Sequence, residues 1–228
     1  MSIEFKKYWR KTSLKRKEDG NFLLKHIEKL RPINFLEVGV FHGVTSRNVC
    51  EILYSLHGNN FKFIGIDLFL NDEKILENEY APKTTFSNPL KNIYYKFIIR
   101  SDPYSVKSVN RLLRKFKKNI TIIKGNSNDV LKQINLDEID YVFLDGGHKY
   151  ETVRNDLKNL TQVVNNKGTI LCDDYNLTYA PGVKKAIDEY VLDKNFDLKI
   201  YNLRFAEITK KKAISNSDLL YWVFLNCF

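Results

Sequence analysis

The stretch from Asn34 to Ser46, which reads NFLEVGVFHGVTS, constrains the fold of this 228-residue chain more than any other. An apolar run ends in Glu37, Gly39 and Gly43 follow at a spacing of four, and a helical pattern then begins. Gly39 permits a tight turn, and Gly43 permits close approach of the backbone to a ligand. Free N–H groups at the start of a helix favour an anionic or zwitterionic ligand such as a nucleotide-like cofactor. A glycine pair alone is also common at ordinary turns, so the prediction depends on the downstream segments.

Short apolar runs alternate with amphipathic segments along the rest of the chain. This alternation predicts an α/β fold with a Rossmann-like, doubly wound sheet of about seven strands, mostly parallel, with an antiparallel hairpin at its edge. The predicted strands are Phe35–Val38, Lys62–Leu68, Ile120–Lys124, Asp140–Asp145, Gly168–Asp173, Leu198–Leu203 with a continuation to Ile208 left open, and Leu219–Leu225. A polar connection, Lys210–Ser217, is predicted to join the last two. The predicted helices are Gly20–Arg31, Val44–Leu56, Val106–Phe116, Ser127–Ile134, Glu151–Val164 and Val183–Leu192.

The chain is predicted to form one domain, 1–228, with a basic N-terminal arm at 1–19 and a lid-like insertion at 69–118. Its net charge of +10 comes entirely from two stretches. Residues 1–19 carry seven Lys and Arg against three acids, and residues 68–118 carry eleven against five. Basic surface attracts phosphate groups of nucleic acid, of a nucleotide-linked substrate or of a membrane. Solvated faces of a Lys-rich chain explain the same charge.

Cysteine content and hydropathy indicate the cellular compartment of the protein. The apolar runs are too short for a membrane span, and the basic N-terminus lacks the apolar region of a secretory signal. The three cysteines, Cys50, Cys172 and Cys227, are odd in number and show no metal-binding spacing. They are typical of buried thiols in a reducing compartment, so we expect a cytoplasmic protein.

Four predicted strands end in acidic residues: Glu37, Asp67, Asp145, and the pair Asp173 and Asp174. In open α/β sheets, ligands bind beyond the carboxyl ends of the strands, which lie along one edge. Each acid alone has another explanation, because an Asp after a strand often caps the next helix. Carboxylates that gather at one place repel each other unless a cation lies among them. Asp145, Asp173 and Asp174 therefore form a candidate all-oxygen site for a divalent ion such as Mg²⁺.

The same edge carries candidate groups for a nucleoside and for proton transfer. Asp67 lies 28 residues after Gly39, where a carboxylate accepts both ribose hydroxyls in dinucleotide-binding folds. Ser127 and Asn128 follow the third strand and present polar groups to a base edge. His148 follows the fourth strand in the segment LDGGHKY and is a candidate general base, since its ordinary pKa is about 6.5. A structural histidine that bonds a loop carbonyl remains the alternative.

These segments resemble the class I S-adenosylmethionine-dependent methyltransferases. LEVGVFHGVTS looks like their first motif and GIDLF like their second. The pattern LDGGHKYETVRNDL followed by GTILCDDYN is more specific and is similar to small-molecule O-methyltransferases of the macrolide-sugar and catechol types. The resemblance covers roughly residues 30–195.

The resemblance implies S-adenosylmethionine as cofactor and Mg²⁺ or another divalent ion as a second one. It places Glu37, Gly39 and Thr45 around the methionine part of the cofactor. The full cofactor-binding set is Glu37, Gly39, Gly43, Thr45, Asp67, Ser127, Asn128 and Asp145. Asp145, Asp173 and Asp174 match the metal-binding acids, and Asp174 sides with the sugar-modifying branch because catechol enzymes have Asn there. The implied catalytic residues are His148, at the position of a catalytic lysine in catechol enzymes, and Asp145.

The implied reaction is transfer of a methyl group to a metal-held hydroxyl of a small molecule. Aromatic and basic residues of the insertion favour a sugar, and a phosphate- or nucleotide-bearing one in particular; they are Tyr80, Phe86, Tyr94, Tyr95, Phe97, Tyr104, Lys83, Lys91, Lys96, Arg100 and Lys107. The same aromatics would equally suit the interface of a homo-oligomer. Two other functions stay open: methylation of RNA or DNA, against which the segment LDGG argues, and a non-catalytic nucleotide-binding protein.

Overall fold

The computed structural model describes residues 3–70 and 86–211. Seven strands form one sheet in the order β3-β2-β1-β4-β5-β7-β6. The first five run parallel, whereas β7 pairs antiparallel with both β5 and β6. The strand order reverses between β1 and β4, which is where doubly wound sheets bind their ligands. The predicted Rossmann-like fold with an antiparallel edge hairpin is therefore confirmed.

The strands are short and mostly buried, as expected for a sheet that helices cover on both faces. They are β1 Asn34–Val38, β2 Lys62–Asp67, β3 Ile120–Lys124, β4 Tyr141–Leu144, β5 Thr169–Cys172, β6 Asp197–Tyr201 and β7 Phe205–Thr209. The helices are α1 Lys17–Leu30, α2 Val44–His57, α3 Pro89–Ile93, α4 Val106–Leu112, α5 Ser127–Val130, α6 Tyr150–Asn159, α7 Thr161–Asn165 and α8 Pro181–Lys194. A π-helix, Tyr94–Ile99, continues α3, and a 3₁₀ turn, Arg114–Phe116, follows α4.

Alternate residues of each central strand belong to two separate hydrophobic clusters, because successive side chains of a strand point to opposite faces of the sheet. Leu36 and Val142 belong to one cluster, which α6 and α8 cover. Phe35 and Tyr141 belong to the other, where their rings stack at 5.0 Å between centroids. Residues of α1 and α2 complete this second cluster. The sheet is thus fixed from both sides, and its carboxyl edge is rigidly placed.

The N-terminal segment is part of the second cluster. Phe5 and Leu14 are buried, with 5% and 0% of their surfaces exposed. Phe5 lies against Gly20 of α1 so closely that a Cβ there would come within 2.2 Å of the Phe5 ring. Basic residues of this segment, such as Lys6 and Lys7, remain exposed. The segment predicted as a basic arm thus packs onto the core along 3–16.

The predicted strand Leu198–Leu203 corresponds to β6, and β7 follows it after a short turn. The predicted continuation of one strand to Ile208 is wrong, because the chain turns between β6 and β7. Asn202 and Leu203 adopt left-handed conformations, with φ of 52° and 55°, and reverse its direction. The predicted strand Leu219–Leu225 and most of the connection before it lie outside the described residues. None of the helices in the described part is long and apolar enough to cross a membrane.

Candidate active site

The predicted site residues meet at the carboxyl edge of the sheet. Val38 of β1 pairs with Ile66 on one side and with Leu144 on the other. The next residues continue the ladder: Gly39 N–H donates to the Ile66 carbonyl at 2.9 Å, and Asp145 N–H donates to the Val38 carbonyl at 2.8 Å. Parallel register therefore brings the ends of β1, β2, β4 and β5 side by side, as the sequence predicts.

The two glycines after β1 have different surroundings. Gly39 has φ of +97°, and a Cβ there would lie 1.9 Å from the Asp145 carbonyl oxygen. This turn therefore requires glycine for both conformation and space. Gly43 has φ of +74° at the start of α2, but a Cβ there would meet the Val109 side chain at 3.1 Å. The side of Gly43 that lacks a Cβ therefore faces Val109 of α4.

Glu37 is a fully buried acid beneath this turn. Ser46 Oγ donates a hydrogen bond to Glu37 Oε2, whereas Oε1 has no hydrogen-bond partner within the described residues. Burial raises the pKa of Glu37 to about 8, against the opposing effect of the Ser46 hydrogen bond. A buried carboxylate oxygen without a donor is costly, so this position suits a ligand that brings a cationic N–H group.

Asp67, at the end of β2, already accepts three hydrogen bonds from the protein. The Phe41 N–H donates to Oδ2 at 2.7 Å, and the Phe69 N–H donates to Oδ1 at 2.9 Å. Tyr104 Oη also donates to Oδ1, at 2.7 Å. The carboxylate is thus held in a single orientation beside the Gly39 turn.

Ser127 and Asn128 begin the short helix α5 after β3, and both are half-buried. The Asn126 side chain caps this helix by accepting from the Asn128 N–H at 3.0 Å. Asn128 Oδ1 accepts a long contact of 3.4 Å from the Asn159 amide. Ser127 and Asn128 therefore lie beyond the carboxyl end of β3, the strand next to β2.

Asp145, Asp173 and Asp174 come together as predicted, each with a carboxylate oxygen within 4.8 Å of those of the others. Burial, and then the negative charges of Asp173 and Asp174, raises the pKa of Asp145 well above its ordinary value. Burial also raises the pKa of Asp173, to about 6. Burial acts on Asp174 in the same direction, but hydrogen bonds from His148 and Tyr179 outweigh it and lower its pKa. The cluster is therefore short of positive charge around Asp145.

Arg204, in the turn between β6 and β7, supplies positive charge to this cluster. Its Nε and Nη2 donate to the two oxygens of Asp173, each at 2.6 Å. Its Nη1 donates to Asp19 of α1 at 3.2 Å. Arg204 is not among the predicted site residues. The predicted strand extends to Leu203 and leaves no turn there to bring Arg204 to the site.

His148 lies at the rim of the cluster, with 29% of its side chain exposed. Its Nε2 is 2.9 Å from Asp174 Oδ2, and Tyr179 Oη donates to Asp174 Oδ1 at 2.7 Å. The histidine is therefore oriented by a buried acid, an arrangement that suits a proton acceptor.

Residues 36–175 match a protein-family model described as "Methyltransferase domain". This span is more than half of the chain and contains every predicted site residue. The chain belongs to the methyltransferase family. The predicted class I resemblance is thereby confirmed, and the protein is an S-adenosylmethionine-dependent methyltransferase.

Solved structures share the fold of this methyltransferase at low sequence identity. The O-methyltransferase NovP superposes with a TM-score of 0.59 at 20% identity, covering 82% of this chain and 80% of its own. The Podospora anserina methyltransferase PaMTH1, solved with S-adenosylhomocysteine bound, gives 0.57 at 16%, covering 87% and 80%. CalS11, a TDP-rhamnose 3'-O-methyltransferase of calicheamicin biosynthesis, gives 0.56 at 12%, covering 84% and 79%. No curated protein sequence matches the chain.

The N-terminal segment of the methyltransferase also reaches the site. Ser13 Oγ donates to Asp145 Oδ2 at 2.5 Å, and the Ser13 carbonyl accepts from Arg204 at 3.4 Å. Arg10 is buried and donates to the carbonyls of His42 and Ser108, both at 3.0 Å. Lys11, Thr12 and Ser13 line a small pocket together with Gly39, Val40, Phe41, Val44, Thr45 and Asp145. Sequence reasoning missed these contacts because the segment has no motif, only charge.

Proposed function

We propose that this methyltransferase transfers the methyl group of S-adenosylmethionine to a hydroxyl of a small molecule, in particular a sugar or a nucleotide-linked sugar. The observation that carries the proposal is the meeting of Glu37, Asp67 and the Asp145 cluster at one sheet edge within a methyltransferase domain. Acids suited to a nucleoside lie beside acids suited to the acceptor, so one edge accommodates both reactants.

The cofactor would bind along the ends of β1, β2 and β3. The unpartnered Glu37 Oε1 suits the methionine ammonium, with Gly39 and Gly43 in the adjacent turn and Thr45 in the first turn of α2. Asp67, held by Phe41, Phe69 and Tyr104, would accept a ribose hydroxyl at Oδ2, because Oδ1 already accepts from Phe69 and Tyr104. Ser127 and Asn128 would approach the adenine, and Asp145 would lie next to the reacting end.

Asp145, Asp173 and Asp174 would hold a divalent ion, and the donor set fits in charge, in chemistry and in spacing. Such an ion, when bound, lowers the pKa of an acceptor hydroxyl and fixes its direction. Arg204 donates hydrogen bonds from Nε and Nη2 to the two oxygens of Asp173, a pair of bonds called here the Arg204 fork. These bonds oppose metal binding.

His148 would take the proton of the acceptor hydroxyl. Asp174 would assist, because its Oδ2 is hydrogen-bonded to His148 Nε2 and orients the ring. The hydroxyl oxygen forms the new C–O bond as the C–S bond of the cofactor breaks, and the electron pair of that bond stays on sulfur. Because the sulfonium group carries the electrophilic methyl, the protein mainly positions the acceptor and removes its proton.

A sugar acceptor is supported by the basic insertion and by one structural relative, the TDP-rhamnose 3'-O-methyltransferase CalS11. Most aromatics of the insertion have internal partners: Phe86 stacks on Tyr95 with centroids 5.1 Å apart, and Tyr104 bonds Asp67. Phe97 is exposed over 62% of its surface, and Tyr80 lies outside the described residues. The exposed part suits either an acceptor or a second copy of the chain.

Two further properties belong to the same proposal. A cytoplasmic location agrees with Cys50 and Cys172, which are buried free thiols. A homo-oligomer would cover Leu90, Phe97 and Ile98, whose surfaces are 72%, 62% and 69% exposed.

An acceptor screen tests the proposal directly. Labelled S-adenosylmethionine is supplied with nucleotide-linked sugars, free sugars, catechols and RNA, each with Mg²⁺ and with chelator. We expect label on a sugar hydroxyl, stimulated by Mg²⁺. The variant His148→Gln should lower kcat by about 10²-fold or more with unchanged cofactor affinity, whereas His57→Gln, a change outside the site, should have no effect. Label on RNA alone, or cofactor binding without transfer to any acceptor, would overturn the proposal.

A further inference from the structure

The Arg204 guanidinium is surrounded by acceptor groups of four residues, Ser13, Asp19, Asp173 and Asp174. Asp173 takes Nε and Nη2, Asp19 takes Nη1, and the Ser13 carbonyl lies 3.4 Å from Nη2. Nη2 also lies 3.5 Å from Asp174 Oδ1. Only 8% of the Arg204 side chain is exposed, and that of Asp173 is fully covered. Arg204 is therefore a buried cation within the acid cluster and not a mobile surface residue.

The oxygens that bond Arg204 are the ones that a divalent ion would need. Asp173 Oδ1 accepts from Arg204 and also from the Asp174 N–H at 2.8 Å, so both of its lone pairs are used. Asp173 Oδ2 accepts the second arm of the fork. Mg²⁺ binds carboxylate oxygens at about 2.0–2.1 Å, and such an ion would face the guanidinium at close range with little water between them. Two cations there repel strongly.

We propose that Arg204 is the resident cation of this cluster and that a divalent ion gains Asp173 as a ligand only when the Arg204 fork releases it. Arg204 stays anchored after release, because Asp19 accepts from Nη1 and the Ser13 carbonyl accepts from Nη2. Divalent-ion affinity is thus set by competition with an internal group. The inference rests on the metal-assisted form of the proposed function.

The test compares Mn²⁺ binding by calorimetry, and melting temperature with and without millimolar Mg²⁺, in wild type and Arg204→Met. Removal of the competing cation should tighten Mn²⁺ binding by at least about tenfold. The variant should melt well below wild type without metal, because Asp173 and Asp19 lose a buried partner, and Mg²⁺ should restore much of the loss. Wild type should show only a small Mg²⁺ effect.

Two more variants secure the result. Arg204→Lys keeps a charge but cannot fork, so it should give a smaller gain in Mn²⁺ affinity, and it serves if Arg204→Met does not fold. Arg154→Met breaks an ion pair with Asp193, away from the cluster, and should show neither the gain nor the rescue by Mg²⁺.

Mn²⁺ affinity that is unchanged or weaker in both Arg204 variants, or melting that Mg²⁺ leaves unaltered, would overturn the competition. None of these measurements uses a methyl acceptor. A failure here is therefore distinguishable from a failure of the proposed methyl transfer.

Discussion

Tyr104 Oη donates a 2.7 Å hydrogen bond to Asp67 Oδ1 from 37 residues further along the chain. With the N–H groups of Phe41 and Phe69, it fixes the carboxylate that we expect to bind ribose. Burial first, and then the negative charge of Asp67, raises the pKa of Tyr104 far above its ordinary value, so the hydroxyl stays a donor. The insertion thereby holds Asp67, one wall of the proposed cofactor site, in place.

Variants of the two residues should separate the effect of the Asp67 carboxylate on cofactor binding from the effect of the Tyr104 hydrogen bond that orients it. Asp67→Ala should weaken S-adenosylhomocysteine binding by about 10- to 100-fold, since charge-assisted hydrogen bonds to ribose are lost. Tyr104→Phe removes one donor but leaves the carboxylate, so its affinity should stay within about threefold of wild type. Calorimetry measures both, and unchanged affinity in Asp67→Ala would refute the ribose role.

Gly39→Ala should destabilise the fold severely. A Cβ would meet the Asp145 carbonyl oxygen at 1.9 Å, in addition to the strain of φ at +97°. We expect a loss on the order of 4 kcal/mol in the free energy of unfolding. Gly58→Ala is the matched control, with φ of +59° and nothing within 4 Å of its Cβ, and should cost only about 1–2 kcal/mol. Urea unfolding of both variants would contradict the packing argument if the two losses were equal.

Glu37 should make stability depend on pH. Its pKa is about 8 when folded, against 4.5 for the ordinary group, so the unfolded chain releases this proton first. The contribution is fully present below pH 4.5 and is lost as pH rises towards 8. Between pH 5 and 8, wild type should therefore lose roughly 3 kcal/mol of unfolding free energy relative to Glu37→Gln. Parallel pH profiles of the two proteins in urea would exclude the buried, protonated acid.

Phe5 should behave as a core residue although it lies near the N-terminus. It is 5% exposed, so Phe5→Ala should cost about 3–4 kcal/mol in unfolding free energy. Trp9, four residues later and 67% exposed, provides the comparison, and Trp9→Ala should stay within about 0.5 kcal/mol. Thermal melting of both variants decides whether the segment belongs to the core, since equal effects would place it outside.

The sheet and its acids were predictable because both leave local signals. Strands such as Phe35–Val38 are continuous apolar runs, and a parallel sheet places their carboxyl ends at one edge whatever the loops do. Asp145 and Asp173 could thus be brought together from pattern alone. The same logic located Asp67 and the Gly39 turn.

The partners of these acids could not be predicted, because they arrive through long-range contacts without a motif. Ser13 comes from a segment whose only visible property is charge. Arg204 depends on a turn at Asn202 and Leu203; Asn tolerates left-handed conformations, but Leu rarely adopts them, so the pair gives a weaker turn signal than a glycine would. The hydrogen bond of Tyr104 to Asp67 likewise needs the fold of the insertion.

The bond between Ser13 and Arg204 joins residues 191 positions apart. During synthesis the ribosome releases Ser13 long before it adds Arg204, and domains generally fold as units once their parts have emerged. The acid cluster therefore gains its arginine only after all five parallel strands have been synthesised. Asp173 and Asp19 thus share a counter-charge only once the turn between β6 and β7 has joined the rest of the domain.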